Sequence, residues 1–71
     1  MRYYIVNEEE QLTLFKVANE LVEDFESNYL EKVIASGISI ADALLNFDQA
    51  NYRQREQVLE AKPVKYRKTS H

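Results

Sequence analysis

The sequence predicts a mainly α fold, with three or four short helices in a small bundle. Three observations predict it. The 71 residues hold one glycine and one proline, so the chain has few natural breaks. Apolar residues from Leu14 to Phe25 recur at helical spacing. Asn7, Asn28 and Ser39 each stand three positions before an acid (Glu10, Glu31 and Asp42), which is the spacing of a helix N-terminal cap.

"RYYIV", residues 2–6, is aromatic and β-branched and reads as a short strand. Its alternation puts Tyr3 and Ile5 on one side and Tyr4 and Val6 on the other. Asn7 then caps a first helix over residues 8–26. Glu8, Glu9 and Glu10 fill its first turn, where the positive helix end favours acids. Leu14, Phe15, Ala18, Leu21, Val22 and Phe25 form a stripe about 160° wide on that helix.

Beyond Phe25 the stripe changes phase. Tyr29, Leu30, Val33 and Ile34 make a new face, rotated by roughly 100°. A second helix over residues 28–36, capped by Asn28, accounts for it. The alternative is one helix over residues 8–36 with both faces buried. Gly37 then fits a left-handed position just past the second helix, and Ser39 caps a third. Ile38 and Ala43 stand where a hydrophobic staple would.

The third helix is expected over residues 40–61. One stripe holds Ile40, Ala43, Leu44, Phe47 and Val58, and a second holds Ala41, Leu45, Tyr52 and Leu59. It either runs unbroken, about 33 Å long, or gives way to a separate final helix capped by Asp48. Pro63 ends it. Residues 63–68 read as a second short strand, pairing with residues 2–6, and residues 69–71 as a frayed tail.

A single domain of this size has a thin core and needs good packing or a partner chain for stability. No cysteine occurs and the one histidine is His71, so the expectation is no disulfide, no metal site and no cofactor. Without a nucleophile–histidine pair or a glycine-rich phosphate loop, no catalytic residues are assigned. No apolar run approaches the ~20 residues that span a bilayer, and the first residues lack a signal-peptide pattern. The expectation is a cytoplasmic protein with no membrane contact.

Charge is divided along the chain. Residues 1–52 carry ten acids and three bases, whereas residues 53–71 carry six bases and two acids. The basic part either packs on the acidic body or meets an anion. Tyrosines flank it in "NYRQR" and "KYRK", and tyrosine is enriched at interfaces. The candidate partner-binding residues are therefore Tyr52, Arg53, Arg55, Lys65, Tyr66, Arg67 and Lys68.

A turn at Gly37–Ser39 between two helices also has the outline of a helix-turn-helix. Its second helix would read "IADALLNFDQ", which lacks arginine and lysine and carries Asp42 and Asp48 against the phosphates. The sequence therefore points first to a non-catalytic regulatory or adaptor protein. It would act by protein–protein interaction, as a homodimer with the helix from Ile40 in the interface. The alternative is a nucleic-acid-binding regulator, using segment 53–68 or a helix-turn-helix around Gly37.

Overall fold

The computed structural model describes residues 1–51 and 62–67, with side chains up to Phe47 and from Lys62 onward. It shows a four-stranded sheet with a helix packed on each face, not a helical bundle. Strand β1 is Arg2–Glu8, β2 is Gln11–Val17, β3 is Val33–Gly37 and β4 is Val64–Lys65. Helix α1 is Val22–Asn28, preceded by a 3₁₀ turn at Asn19–Leu21, and α2 is Ile40–Asn51. The order across the sheet is β3-β1-β2-β4.

The strand expected at residues 2–6 is present and runs on to Glu8. The chain then reverses in a tight hairpin and does not enter a helix. Asn7 lies opposite Leu12, and Glu8 opposite Gln11. Glu9 and Glu10 make the turn with φ of 52° and 66°. Two positive values are what a type I′ hairpin turn demands, and its twist matches that of the strands. The acids read as a helix's first turn are thus a loop tip and its flank.

The stripe from Leu14 to Phe25 is real apolar patterning, but two elements share it. Strand β2 is buried on both faces: Leu12 and Leu14 point one way, Phe15 and Val17 the other. A strand without a solvent face loses the clean alternation that marks strands in sequence. Only Leu21, Val22 and Phe25 belong to helical turns.

The helix expected over residues 28–36 is also absent. β3 occupies its second half and pairs antiparallel with β1, with a bulge between Ile5 and Val6. Leu30 and Ile34, expected on a buried helical face, are 77% and 37% exposed. With a strand before Gly37, no helix-turn-helix exists there. The terminal segment does form a strand, but β4 pairs parallel with β2 and not with residues 2–6.

Two cores result, one per face. Ile5, Leu12, Leu14 and Ala35 pack under Ala43, Leu44 and Phe47 of α2. Tyr4, Val6, Phe15 and Val17 pack under Phe25 of α1, with Leu21, Val22, Tyr29 and Tyr66 around them. The connections from β2 to β3 and from β3 to β4 cross the sheet in opposite directions. Crossovers of one hand then require helices on opposite faces.

The start of α2 follows the sequence closely. The Ser39 hydroxyl accepts from the Asp42 amide at 3.0 Å, and an Asp42 carboxylate oxygen accepts from the Ile38 amide at 3.0 Å. Ile38 is 73% exposed, so it makes no covering staple. Gly37 has no positive φ. Glycine is required there because an added Cβ would sit 2.5 Å from the Ala43 amide nitrogen. Helix α2 passes residue 48 unbroken, so Asp48 starts no separate helix. The expected continuation over residues 52–61 and the tail at residues 69–71 lie outside the described residues.

Candidate functional site: an aromatic groove beside the C-terminal strand

Phe25 is fully buried, and four other rings surround it. Tyr4 lies 4.6 Å away between centroids, Phe15 5.2 Å, Tyr29 4.6 Å and Tyr66 4.8 Å. Tyr29 stacks on it and Tyr66 meets it edge-on, both favoured aromatic geometries. Aromatic residues from both central strands, α1 and the residue just after β4 therefore share one cluster.

An open groove of about 650 Å³ lies over the outer side of this cluster. Phe15, Tyr29 and Tyr66 line it together with Asp24, Asn28, Glu8 and Lys32, and Lys65 and Arg67 lie along it. β4 pairs only with Phe15 and Lys16, so β2 from Gln11 to Leu14 has no strand beside it on this side among the described residues.

Polar groups fix the ends of the groove. The Tyr66 hydroxyl donates to Asp24 Oδ2 at 2.6 Å and accepts from Asn28 Nδ2 at 2.9 Å. The Asp24 hydrogen bond, reinforced by burial, raises the Tyr66 phenol above its ordinary value, since the bond holds the protonated form. At the other end Lys32 Nζ pairs with Glu8 Oε1 at 3.1 Å. Both partners are about half exposed, so this pair contributes only about 0–1 kcal/mol.

A second polar contact lies on the far side of α1. The buried Tyr4 ring sends its hydroxyl to Glu26 Oε2 at 2.7 Å. Burial first, then this carboxylate, pushes the Tyr4 phenol up to about 12. The Arg2 guanidinium stands over the same ring at 6.0 Å and donates to Ser36 Oγ at 3.3 Å.

The structure brings three of the sequence-selected residues, Lys65, Tyr66 and Arg67, to one place. Their roles divide: Tyr66 anchors the segment, while Lys65 and Arg67 are exposed. Tyr52, Arg53, Arg55 and Lys68 lie outside the described residues. Sequence reasoning missed Phe15, Asp24, Asn28 and Lys32, because a helix over residues 8–26 puts Phe15 on another element. Tyr29 carried a signal only as one of five interface-type tyrosines.

Among the described residues no three His, Cys, Asp or Glu side chains converge as a metal site. No described helix is long and apolar enough to cross a membrane. No protein-family model, no curated protein and no solved structure matches this chain.

Proposed function

We propose that this chain is a non-catalytic interaction module, a small adaptor or regulator whose partner is a protein. The groove beside Tyr29 and Tyr66 is its contact surface. The single observation that carries this reading is the composition of that groove. Aromatic faces flanked by exposed cations and a few fixed polar groups are the materials of protein interfaces. The cytoplasm is its proposed compartment, on the cysteine-free composition.

A homodimer is part of the proposal. Ile38 and Leu45 are 73% and 61% exposed, and Ala41 is exposed near them on α2. A self-complementary helix face of this kind is a common way to bury surplus apolar surface. Light scattering should give about twice 8.4 kDa, and Leu45→Lys should return the single-chain mass.

Quantitative affinity capture tests the groove. Tyr29→Ser and Lys32→Glu, each with an unchanged circular dichroism spectrum, should lose a protein that the parent chain and a Glu23→Ser control, exposed and outside the groove, both retain. Retention by all four chains would defeat the assignment of the groove. Capture of nucleic acid instead, sensitive to nuclease, would favour the alternative of a nucleic-acid-binding regulator using the basic segment 53–68.

A further inference from the structure

One side chain holds the outer wall of the groove. β4 pairs with β2 at Phe15↔Val64 and Lys16↔Lys65 only, and parallel pairing is the weaker kind per residue. Lys62, Pro63, Val64, Lys65 and Arg67 are all exposed. Tyr66 alone is half-buried. Its amide donates to the Lys16 carbonyl at 3.1 Å, its ring meets Phe25 edge-on, and its hydroxyl bonds Asp24 and Asn28.

The strand beneath offers a longer ladder than β4 uses. β2 pairs with β1 in unbroken register from Gln11 to Val17. A strand in such a ladder turns its backbone groups alternately to its two neighbours. Lys16 turns its carbonyl to the C-terminal segment, so Leu14 and Leu12, at alternate positions, turn theirs the same way. Neither has a strand partner on that side among the described residues.

The place of Tyr66 shows what fits there. Sheet edges take extended segments through main-chain hydrogen bonds, and adjoining pockets select the side chains. Here Phe25 and Tyr29 receive an aromatic ring, and Asp24 and Asn28 bond a phenol at its tip. A tyrosine-bearing segment of another protein would make the same contacts, with Leu14 and Leu12 to pair with besides. The chain's own segment competes with it, so the apparent affinity falls by the fraction of molecules in which that segment is released.

We propose that residues 62–67 are the internal occupant of a peptide site on the outer edge of β2, and that an extended, tyrosine-bearing segment of the partner displaces them. This inference rests on the reading of the groove as a protein-contact surface, and names both the chemistry of the partner and the control of access.

The test uses a fluorescein-labelled peptide copying residues 62–67 (KPVKYR) and a second peptide with alanine in place of its tyrosine. Fluorescence anisotropy with the full chain should show the tyrosine peptide binding Tyr66→Ala about thirtyfold more tightly than the parent. Tyr66→Phe, which keeps the ring, should gain about fivefold, so the direction is read even where Tyr66→Ala folds poorly. The alanine peptide should bind none of these chains. Lys16→Cys with Lys65→Cys pins the segment in place: register partners lie about 4.8 Å apart, within disulfide reach, and the chain has no other cysteine. Added to the Tyr66 variants, the oxidised pair should abolish peptide binding and its reduction should restore it. Weaker binding by both Tyr66 variants than by the parent, equal binding of the two peptides, or indifference to the disulfide would each overturn the inference. If the peptide fails while Tyr29→Ser and Lys32→Glu still lose a captured protein, the displacement inference falls and the broader reading stands.

Discussion

The Tyr66 hydroxyl and the Asp24 carboxylate, 2.6 Å apart, tie the C-terminal strand to α1 across 42 residues of chain. The ring beneath that hydroxyl packs edge-on against Phe25. Val64, the other apolar residue of the segment, is 47% exposed and contributes little. Tyr66 is therefore the anchor of the groove's outer wall. Tyr66→Phe keeps the ring and should cost about 1 kcal/mol. Tyr66→Ala loses ring and bond and should cost about 2–3 kcal/mol, less than a fully buried aromatic because Tyr66 is half-buried. Thermal unfolding distinguishes the two; equal effects would show that packing contributes nothing.

The hairpin tip offers a stabilising change. Glu9 and Glu10 hold positive φ without the side chains that tolerate it. Replacing them with the preferred pair, Glu9→Asn with Glu10→Gly, should stabilise by about 1 kcal/mol. Chemical denaturation should show a higher midpoint at constant slope, and a lower midpoint would mean that the turn is not of this type.

Gly37 is fixed by crowding, not by a left-handed backbone. A Cβ there would also stand 2.8 Å from the Asp42 carbonyl carbon, so the start of α2 must move. Gly37→Ala should cost about 1–3 kcal/mol, as over-packing does. Ser39→Ala removes one cap bond and should cost about 1 kcal/mol. A Gly37→Ala melting temperature equal to the parent's would refute the close approach.

Alkaline pH should act through Tyr4. Its phenol titrates near 12 in the folded chain and near 10 when unfolded, so between those values the folded state holds the proton that the unfolded state has released. The contribution is complete below pH 10 and is lost as pH rises toward 12. Tyr4→Phe should flatten that part of the stability curve. In a spectrophotometric titration it should remove the last phenol to ionise. The Tyr66 phenol, also raised, should remain, whereas a phenol still titrating at about 12 in Tyr4→Phe would place that group elsewhere.

Little of the local punctuation was legible in the sequence: the Ser39–Asp42 cap stands, but Asn7 lies within β1, Asn28 ends α1 and does not start a helix, and Gly37 is not left-handed. "RYYIV" read as a strand with the correct faces, and Ser39 and Asp42 marked the start of α2. The failures share one cause: a helix and a doubly buried strand give similar apolar runs. "LTLFKV" buries Leu12 and Leu14 on one core and Phe15 and Val17 on the other, so its period of two was masked. "NEEEQ" lacks the Asn-Gly signature of a hairpin and offers a credible helix cap instead. At "KVIASG" the β-branched pair Val33–Ile34 was the available signal, outweighed by the spacing from Tyr29. The candidate site was half legible. Lys65, Tyr66 and Arg67 were chosen on charge and tyrosine, but only long-range pairing brings Phe15, Asp24 and Lys32 to meet them.

The central claim is that a partner protein seats in the groove walled by Tyr66, and a site-specific photocrosslinker tests it most directly. Placed at Asn28 or Lys32, on the groove, the probe should give an adduct with one protein species upon irradiation. Placed at Glu23, an exposed residue of α1 that does not line the groove, it should give none. Adducts of equal yield from all three positions, or from Glu23 alone, would contradict a partner seated there.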